Sequence, residues 1–326
     1  MIITVTTVVV LVIGILSLAL ALYGGLVSLS VVEGTTGDQE QRQTSEQRYY
    51  LLGMIGVIVL VARLLNVPLF FWMLQSLVPY CPGAMCVYGV INVGFPYSAI
   101  ALLTKLILPF IYGLWIIFEF ANRRQPILPF TRNLARSFLL ALVPLVLIDS
   151  AVDVLLVASI RPINVPCCSS IYDIDPPFSP SAILGSEVGV LIVLLTVVLT
   201  LVLISVQWFS NRSTKFPIVA LILSLAVALL YLVSLHDTLA PLVLGLPNHH
   251  CPYCLFQEFP DTALFAGLFW IGIASAGWRA TLEMVWNRTE NQLEQSGTIL
   301  DYLLKISLVS LIFSIVSLVS HILVAL

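Results

Sequence analysis

Long apolar stretches separated by short polar segments dominate the pattern of this chain. A helix needs about 20 apolar residues to cross a hydrocarbon layer about 30 Å thick. Eight stretches meet that requirement, at residues 2–32, 49–79, 98–120, 137–160, 183–209, 216–236, 262–286 and 302–325. The pattern therefore predicts an all-α, polytopic integral membrane bundle of about eight transmembrane helices, forming a single transmembrane domain over residues 1–326. Pro68 should kink the second helix, because proline removes a helix hydrogen bond.

The composition favours the same class. Hydrophobic residues make up 60% of the chain and charged residues 10%, with a mean hydropathy of +1.05, which a water-soluble domain does not show. The net charge is −3 and no basic block occurs, so we expect a lipid bilayer around the chain and no nucleic-acid partner. The first apolar stretch lacks the positive start of a signal peptide and is too long for one, which predicts a retained helix.

Lysine and arginine positions indicate the orientation, because positive residues near helix ends stay on the cytoplasmic side. Loops 80–97, 161–182 and 237–261 and both termini are then expected on the periplasmic or extracellular side, and the predicted location is a prokaryotic cytoplasmic membrane. Eleven of the 14 positive residues fall on the opposite side of eight alternating helices: Arg42, Arg48, Arg123, Arg124, Arg132, Arg136, Arg212, Lys215, Arg279, Arg288 and Lys305.

The three outer loops share a sequence plan. Each ends on Phe-x-x-Ser/Thr-Ala-Ile/Leu, at residues 95–100, 178–183 and 259–264, and each carries two cysteines upstream. The shared endings predict a bundle built from repeated helical hairpins. The hydroxyl residue of each ending suits a helix N-cap: Ser98, Ser181 and Thr262.

The six cysteines therefore form pairs on the side of the membrane that permits disulfides. One interpretation is purely structural, in which Cys81 and Cys86 close a small loop and the protein is a non-catalytic scaffold subunit. Cys167 and Cys168 would then bridge to other loops, because a disulfide between adjacent cysteines is strained.

Cys251-Pro252-Tyr253-Cys254 favours redox chemistry more directly. A Cys-x-x-Cys pair lowers the pKa of its first thiol and lets the second resolve a mixed disulfide, so Cys251 is the predicted nucleophile and Cys254 the resolving thiol. The tetrapeptide matches the active-site motif of glutaredoxins over four residues only. The arrangement resembles membrane thiol oxidases of the DsbB and vitamin K epoxide reductase families, in which outer-face cysteine pairs pass electrons towards a quinone, although those bundles have about half as many helices.

Histidines raise a second hypothesis, a metal or haem site. His249 and His250 precede the cysteine motif, and imidazoles with thiolates Cys251 and Cys254 could ligate copper, zinc or iron. His236 and His321 lie 85 residues apart, close to the repeat length, and are candidates for a haem b or a quinone contact. Hydrogen-bonded interfacial histidines without a cofactor are the alternative.

Five charged residues fall inside predicted helices, where an ionisable side chain is costly unless it has a partner: Arg63, Lys105, Asp149, Asp153 and Glu187. Arg63 lies about 21 Å and Asp149 about 18 Å from the cytoplasmic start of its helix, so these two can meet. Lys105 and Asp153 share a second level, about 10 Å below the outer face, and Asp149 and Asp153 share a helix face. The pattern predicts an intramembrane charge network that either fixes helix packing or forms a proton path.

Together these features predict a membrane redox protein that exchanges electrons through its outer cysteine pairs, with quinone as a candidate acceptor. The alternative is a metal- or haem-binding subunit of an electron-transfer or copper-handling complex. No phosphate loop or nucleophilic Ser/His/Asp motif supports an ATPase or hydrolase. The outer face is acidic, which suits a basic soluble redox protein or other membrane subunits as partners, through Asp173, Asp175, Glu187, Asp237, Glu258 and Asp261.

Overall fold

The computed structural model describes residues 2–35, 38–84, 86–123, 128–162, 179–209, 216–246, 249–286 and 293–325. Helices account for nearly all of these ranges, and the described part of the chain contains no β-strand. The chain divides into two compact units, an N-terminal unit, Met1–Cys167, and a C-terminal unit, Cys168–Leu326.

The N-terminal unit is a ring of four long helices. Around the ring, α1 packs on α2, α2 on α4, α4 on α6, and α6 on α1. A π-helical turn, Phe138–Leu142, joins α5 to α6, so these two helices form one span. The helices are α1 (Val5–Gly34), α2 (Gln39–Leu77), α3 (Val87–Val93), α4 (Tyr97–Arg123), α5 (Leu128–Ser137) and α6 (Val143–Ser159).

The C-terminal unit repeats this plan. Here α8 packs on α9, α9 on α12, α12 on α13, and α13 on α8. A second π-helical turn, Leu235–Leu239, continues α9 into α10. The helices are α7 (Pro180–Leu184), α8 (Ser186–Phe209), α9 (Phe216–Ser234), α10 (Ala240–Leu244), α11 (Pro252–Glu258), α12 (Pro260–Trp286) and α13 (Leu293–Ala325).

Eight helical segments in the described residues are long and apolar enough to cross a membrane, four in each unit. This confirms the predicted all-α polytopic bundle, and the chain is an integral membrane protein. Several helices extend beyond the apolar stretches, as at Gln39 and Leu293, because polar residues outside the lipid keep their backbone hydrogen bonds while water solvates the side chains. Pro68 lies inside α2, which continues as a helix past it to Leu77.

Aromatic rings pack inside the units, some of them against glycines on a neighbouring helix. In the N-terminal unit the ring of Phe138 lies 5.1 Å from that of Trp115 and 6.3 Å from that of Tyr112. Gly56 admits Trp115, since a Cβ at that position would lie 2.7 Å from the indole ring. Small residues thus let the helices approach closely, as is usual in membranes, where the surrounding lipid is as apolar as the core.

Candidate functional site

The N-terminal unit brings Arg63, Lys105, Asp149 and Asp153 together in one buried ion-pair cluster. Arg63 Nη1 donates to Asp149 Oδ2 at 2.6 Å, and Lys105 Nζ lies 3.2 Å from Asp149 Oδ1 and 2.6 Å from Asp153 Oδ1. The cluster links α2, α4 and α6, and its formal charges sum to zero. Such a balance is what makes four charges tolerable in a membrane interior.

Asp149 is the most fully bonded member. Besides its two cationic partners it accepts a hydrogen bond of 2.6 Å from Thr104 Oγ1. The Arg63 guanidinium in turn donates through Nη2 to Ser150 Oγ at 2.5 Å and to the Gly14 carbonyl oxygen at 3.2 Å, so α1 also takes part. Because Gly14, Thr104 and Ser150 are uncharged and common in helices, the sequence alone did not single them out.

The outer half of the cluster is less saturated. The Lys105 ammonium lies 4.4 Å from the centroid of the Phe70 ring, a cation–π contact. Asp153 accepts a hydrogen bond from Lys105 through Oδ1, whereas its buried Oδ2 has no partner among the described residues. The carboxylates of Asp149 and Asp153, one helical turn apart on α6, therefore differ in their surroundings: both oxygens of Asp149 have partners, whereas one oxygen of Asp153 has none among the described residues.

The opposite end of the N-terminal unit holds a second polar group that the sequence analysis missed. Glu119 is completely buried and pairs with Arg123 at 2.8 Å, one helical turn along α4. The Asn122 side-chain amide donates to Tyr49 at 3.1 Å and to Thr131 at 2.9 Å. The four-residue spacing of the Glu–Arg pair was the available signal.

A cavity of about 540 Å³ opens beside this second group. Every residue that lines it has a polar group on its side chain: Thr35, Gln39, Arg42, Gln43, Ser45, Glu46, Tyr49, Tyr50, Arg123 and Thr131. The cavity lies at the end of the unit where the positive residues of α2, α4 and α5 are concentrated.

In the C-terminal unit, the cysteine motif begins a short helix. Cys251 is the N-cap of α11, Pro252 is its first residue, and Cys254 follows within the first turn. The two Sγ atoms lie within 4.8 Å of each other. Cys251 is only 2% exposed, whereas Cys254 is half-buried, so the second thiol of the motif is the more accessible one.

The histidines of this unit do not gather around the cysteine motif. His250 Nδ1 lies 3.2 Å from the carbonyl oxygen of His236, and the two imidazole rings are 5.8 Å apart. The backbone N–H of His249 donates to the Leu246 carbonyl at 3.0 Å. Among the described residues, no histidine side chain lies within 4.8 Å of both Cys251 and Cys254 sulfurs.

His321 contacts an acid rather than His236. Its Nε2 lies 3.0 Å from Asp261 Oδ2 and its Nδ1 lies 2.9 Å from the Ser317 carbonyl oxygen. Because both partners are acceptors, both hydrogen bonds form together only when the imidazole carries two protons. His236, which was predicted to share a haem with His321, contacts His250.

Two cavities meet at His321. The larger, about 290 Å³, is lined by Val243, Phe259, Asp261, Ser320, His321 and Val324. The smaller, about 30 Å³, continues between α9, α12 and α13 and is lined on one side by Leu255, the residue after Cys254. A mostly apolar cleft with a histidine at its centre thus lies beside the helix that carries the thiols.

Asp237, which was expected among the surface acids of the outer face, is buried. It accepts hydrogen bonds from the Ser179 hydroxyl and from both the backbone N–H (3.1 Å) and hydroxyl (2.8 Å) of Ser181. The π-helical turn Leu235–Leu239 contains this residue, and such turns change the direction in which a side chain leaves the helix. Asp237 therefore anchors the start of the unit and does not add to the surface charge.

The predicted N-caps were wrong, but the loops of the two units do share a geometry. Ser98 and Thr262 lie inside the first turn of their helices, and each donates to the carbonyl oxygen seven residues earlier, at 2.6 Å to Ile91 and at 3.4 Å to Leu255. Ser181 instead bonds Asp237. The seven-residue helices α3 and α11 both follow a cysteine N-cap, so the loop plan recurs between the units.

Cys86 is the N-cap of α3, and Cys81 lies five residues before it. Burial raises the pKa of the Cys81 thiol above its usual value. No disulfide bond joins any two of the described cysteines, Cys81, Cys86, Cys251 and Cys254. Cys167 and Cys168 lie outside the described residues, as does most of the loop 161–182 that carries them.

No protein-family model matches this sequence, and comparison with curated proteins and with solved structures returns no match. The fold and the site define the class, a polytopic all-α integral membrane protein with a buried charge cluster and a cysteine pair at a helix start.

Proposed function

We propose that the chain is a membrane thiol–disulfide oxidoreductase whose chemistry runs at Cys251 and Cys254. The observation that carries this proposal is the approach of the two Sγ atoms to within 4.8 Å at the start of α11, outside the apolar spans. A disulfide needs about 2.05 Å between sulfurs, a distance that modest side-chain movement reaches from there.

The exposures favour different roles for the two thiols. Cys254 is the accessible thiol and attacks the partner disulfide, which releases one partner thiol and forms a mixed disulfide. Cys251 then attacks the Cys254 sulfur, which releases the second partner thiol and closes the Cys251–Cys254 disulfide. In this direction two electrons pass from the cysteine pair to the partner. The exchange is reversible, so a partner dithiol that attacks the Cys251–Cys254 disulfide returns two electrons to the pair and is itself oxidised to a disulfide. The roles of the two cysteines are exchanged relative to those predicted from the motif.

The cleft at His321 supports a quinone as the lipid-soluble partner of the same pair. A quinone that takes two electrons and two protons from the dithiol becomes a hydroquinone, and the pair becomes a disulfide. The larger cavity offers mostly apolar walls beside the His321–Asp261 pair and is lined by Phe259 at the end of α11, while Leu255, the residue after Cys254, lines the smaller one. Reduced protein should therefore bleach a short-chain ubiquinone, and His321→Gln should slow that reaction.

The loops that carry this site are proposed to face the periplasm or exterior of a prokaryotic cell, by the distribution of positive residues. A soluble redox protein could then reach Cys254 from that side. A membrane-impermeant maleimide added to intact cells should label Cys254, and labelling that requires broken cells would reverse the orientation.

Glutathione disulfide tests the thiol roles. In Cys251→Ser, Cys254 should form a long-lived glutathione adduct, visible by mass spectrometry, because the resolving thiol of the motif is absent. In Cys254→Ser the adduct should form much more slowly, since the remaining thiol is buried, and Cys81→Ser serves as the control that behaves like wild type. Equal adduct rates in the two motif variants would refute the assignment, and a wild-type adduct that never resolves would refute the exchange.

A metal site is the second candidate, because two thiolates within 4.8 Å also match the sulfur separation around a tetrahedral zinc or a copper ion. The described histidines do not complete such a site. Elemental analysis of protein purified without chelators separates the candidates, since stoichiometric zinc or copper lost in Cys251→Ser would favour the metal.

A further inference from the structure

Tyr112 and Glu119 each carry one buried polar atom without a hydrogen-bond partner among the described residues, and three further residues of the N-terminal unit carry such atoms at or beside the ion-pair cluster. These atoms are Asp153 Oδ2, both amide atoms of Asn66, and Arg63 Nε. All three residues are at most 2% exposed. Buried polar groups in proteins nearly always have a partner, in the protein or in ordered water. Three such groups near one ion-pair cluster therefore point to a ligand.

The helix register places two of these groups opposite each other. The Arg63–Asp149 contact fixes the level of α2 relative to α6, which run in the same direction across the ring. From that contact, Asn66 is three residues further along α2 and Asp153 is four residues further along α6. At about 1.5 Å per residue, these steps are about 4.5 and about 6 Å, so both side chains lie at nearly the same depth.

We propose that Asn66, Asp153 and Arg63 hold internal water in the core of the N-terminal unit and that Asp153 exchanges a proton with this water. The free atoms offer donors at Asn66 Nδ2 and Arg63 Nε and acceptors at Asn66 Oδ1 and Asp153 Oδ2. Water both accepts and donates hydrogen bonds, so internal water offers a suitable partner to every atom of this set.

An ion fits the same place poorly. A bare cation would lie beside Arg63 and Lys105, and an anion would lie beside the Asp153 carboxylate. A neutral ligand with both donors and acceptors avoids both repulsions, which leaves water as the species that matches the site.

The proton step changes the charge of the cluster by one unit. The water donates one proton to Asp153 Oδ2 as it accepts another from a further water molecule, which leaves a neutral water and a neutral carboxyl group at the site. The charged groups that face Asp153 are Lys105 on α4, Asp149 on its own helix and Arg63 on α2, while α1 contributes the Gly14 carbonyl. Asp149 holds two cations and the Thr104 hydroxyl, so Asp153 is the carboxylate that changes state.

Infrared difference spectroscopy between two pH values, on the protein in lipid nanodiscs, tests this proposal without any thiol chemistry. The carbonyl stretch of a protonated, buried carboxyl group should appear as the pH falls and should shift in D₂O. Asp153→Asn should remove the band, and Asp301→Asn, the same change at an exposed position, should leave it. A band unaffected by Asp153→Asn would overturn the proposal.

Asn66→Leu keeps the proposal testable if Asp153→Asn does not fold. Loss of the amide should shift the frequency of the Asp153 band, because a hydrogen-bond partner of its water is gone, and should lower the unfolding midpoint. An unshifted band would overturn the proposal. So would a raised midpoint, since it would mean that an unsatisfied amide had been relieved and no ligand lost.

Discussion

Removal of the Asp149 carboxylate by Asp149→Leu should strongly destabilise the N-terminal unit. The change deletes the hydrogen bonds from Arg63, Lys105 and Thr104 and leaves two buried cations with one carboxylate. Breaking a buried ion pair by removing one partner costs about 3–5 kcal/mol, chiefly because the other charge stays buried and unpaired. Thr104→Val is the matched control, since it removes one hydrogen bond to the same carboxylate, and membrane hydrogen bonds average about 0.6 kcal/mol.

Equilibrium unfolding in mixed detergent micelles, followed by circular dichroism, measures both variants against wild type. The double variant Arg63→Met/Asp149→Leu should recover part of the lost stability, because it removes the stranded guanidinium together with its partner. An Asp149→Leu variant no less stable than Thr104→Val would refute the reasoning. A double variant less stable than Asp149→Leu would refute it equally.

Other predictions follow from single contacts. Gly272→Ala should destabilise the C-terminal unit by about 1–3 kcal/mol in the same unfolding assay, because a Cβ there would lie 2.7 Å from a leucine on α13; Gly267→Ala, with open space around its Cβ, should have little effect. Asp237→Asn should cost about 1–3 kcal/mol through weaker hydrogen bonds from the two serines, and an unchanged unfolding curve would contradict its anchoring role. Because burial raises the pKa of the Cys81 thiol, maleimide labelling of Cys81 should be slow at neutral pH and should increase as the pH rises. Mass spectrometry of the labelled peptides measures this rate, and fast labelling at neutral pH would contradict the burial of the thiol.

The fold could be predicted because the membrane imposes a simple constraint. Each span must hide its backbone polar groups in a helix and offer apolar side chains to lipid, so hydropathy alone located all eight. The ends were predicted less well. Helix α9 continues through a π-helical turn into α10, although His236 and Asp237 make that stretch polar, because Asp237 finds hydroxyl and backbone donors.

Depth along the helix was enough to place Arg63 near Asp149, since charges in lipid must find partners at their own level. The neutral residues that complete the cluster, such as Thr104 and Ser150, gave no such signal, because the same residues are common on helix surfaces. Glu119 escaped notice because it lies near a helix end, where an acid is ordinarily solvated. The contact between His321 and Asp261 depends on how the loop before α12 packs, and the hydrophobic periodicity of the sequence does not predict loop packing.

The most direct test of the central claim is differential alkylation of the six cysteines with mass spectrometry, on protein in native membranes before and after addition of a dithiol reductant. The account predicts that Cys251 and Cys254 shift together between a disulfide with each other and two free thiols, and that reoxidation restores the bond. A pair that keeps one state under both conditions, or that bonds only to other cysteines, would contradict the proposed exchange.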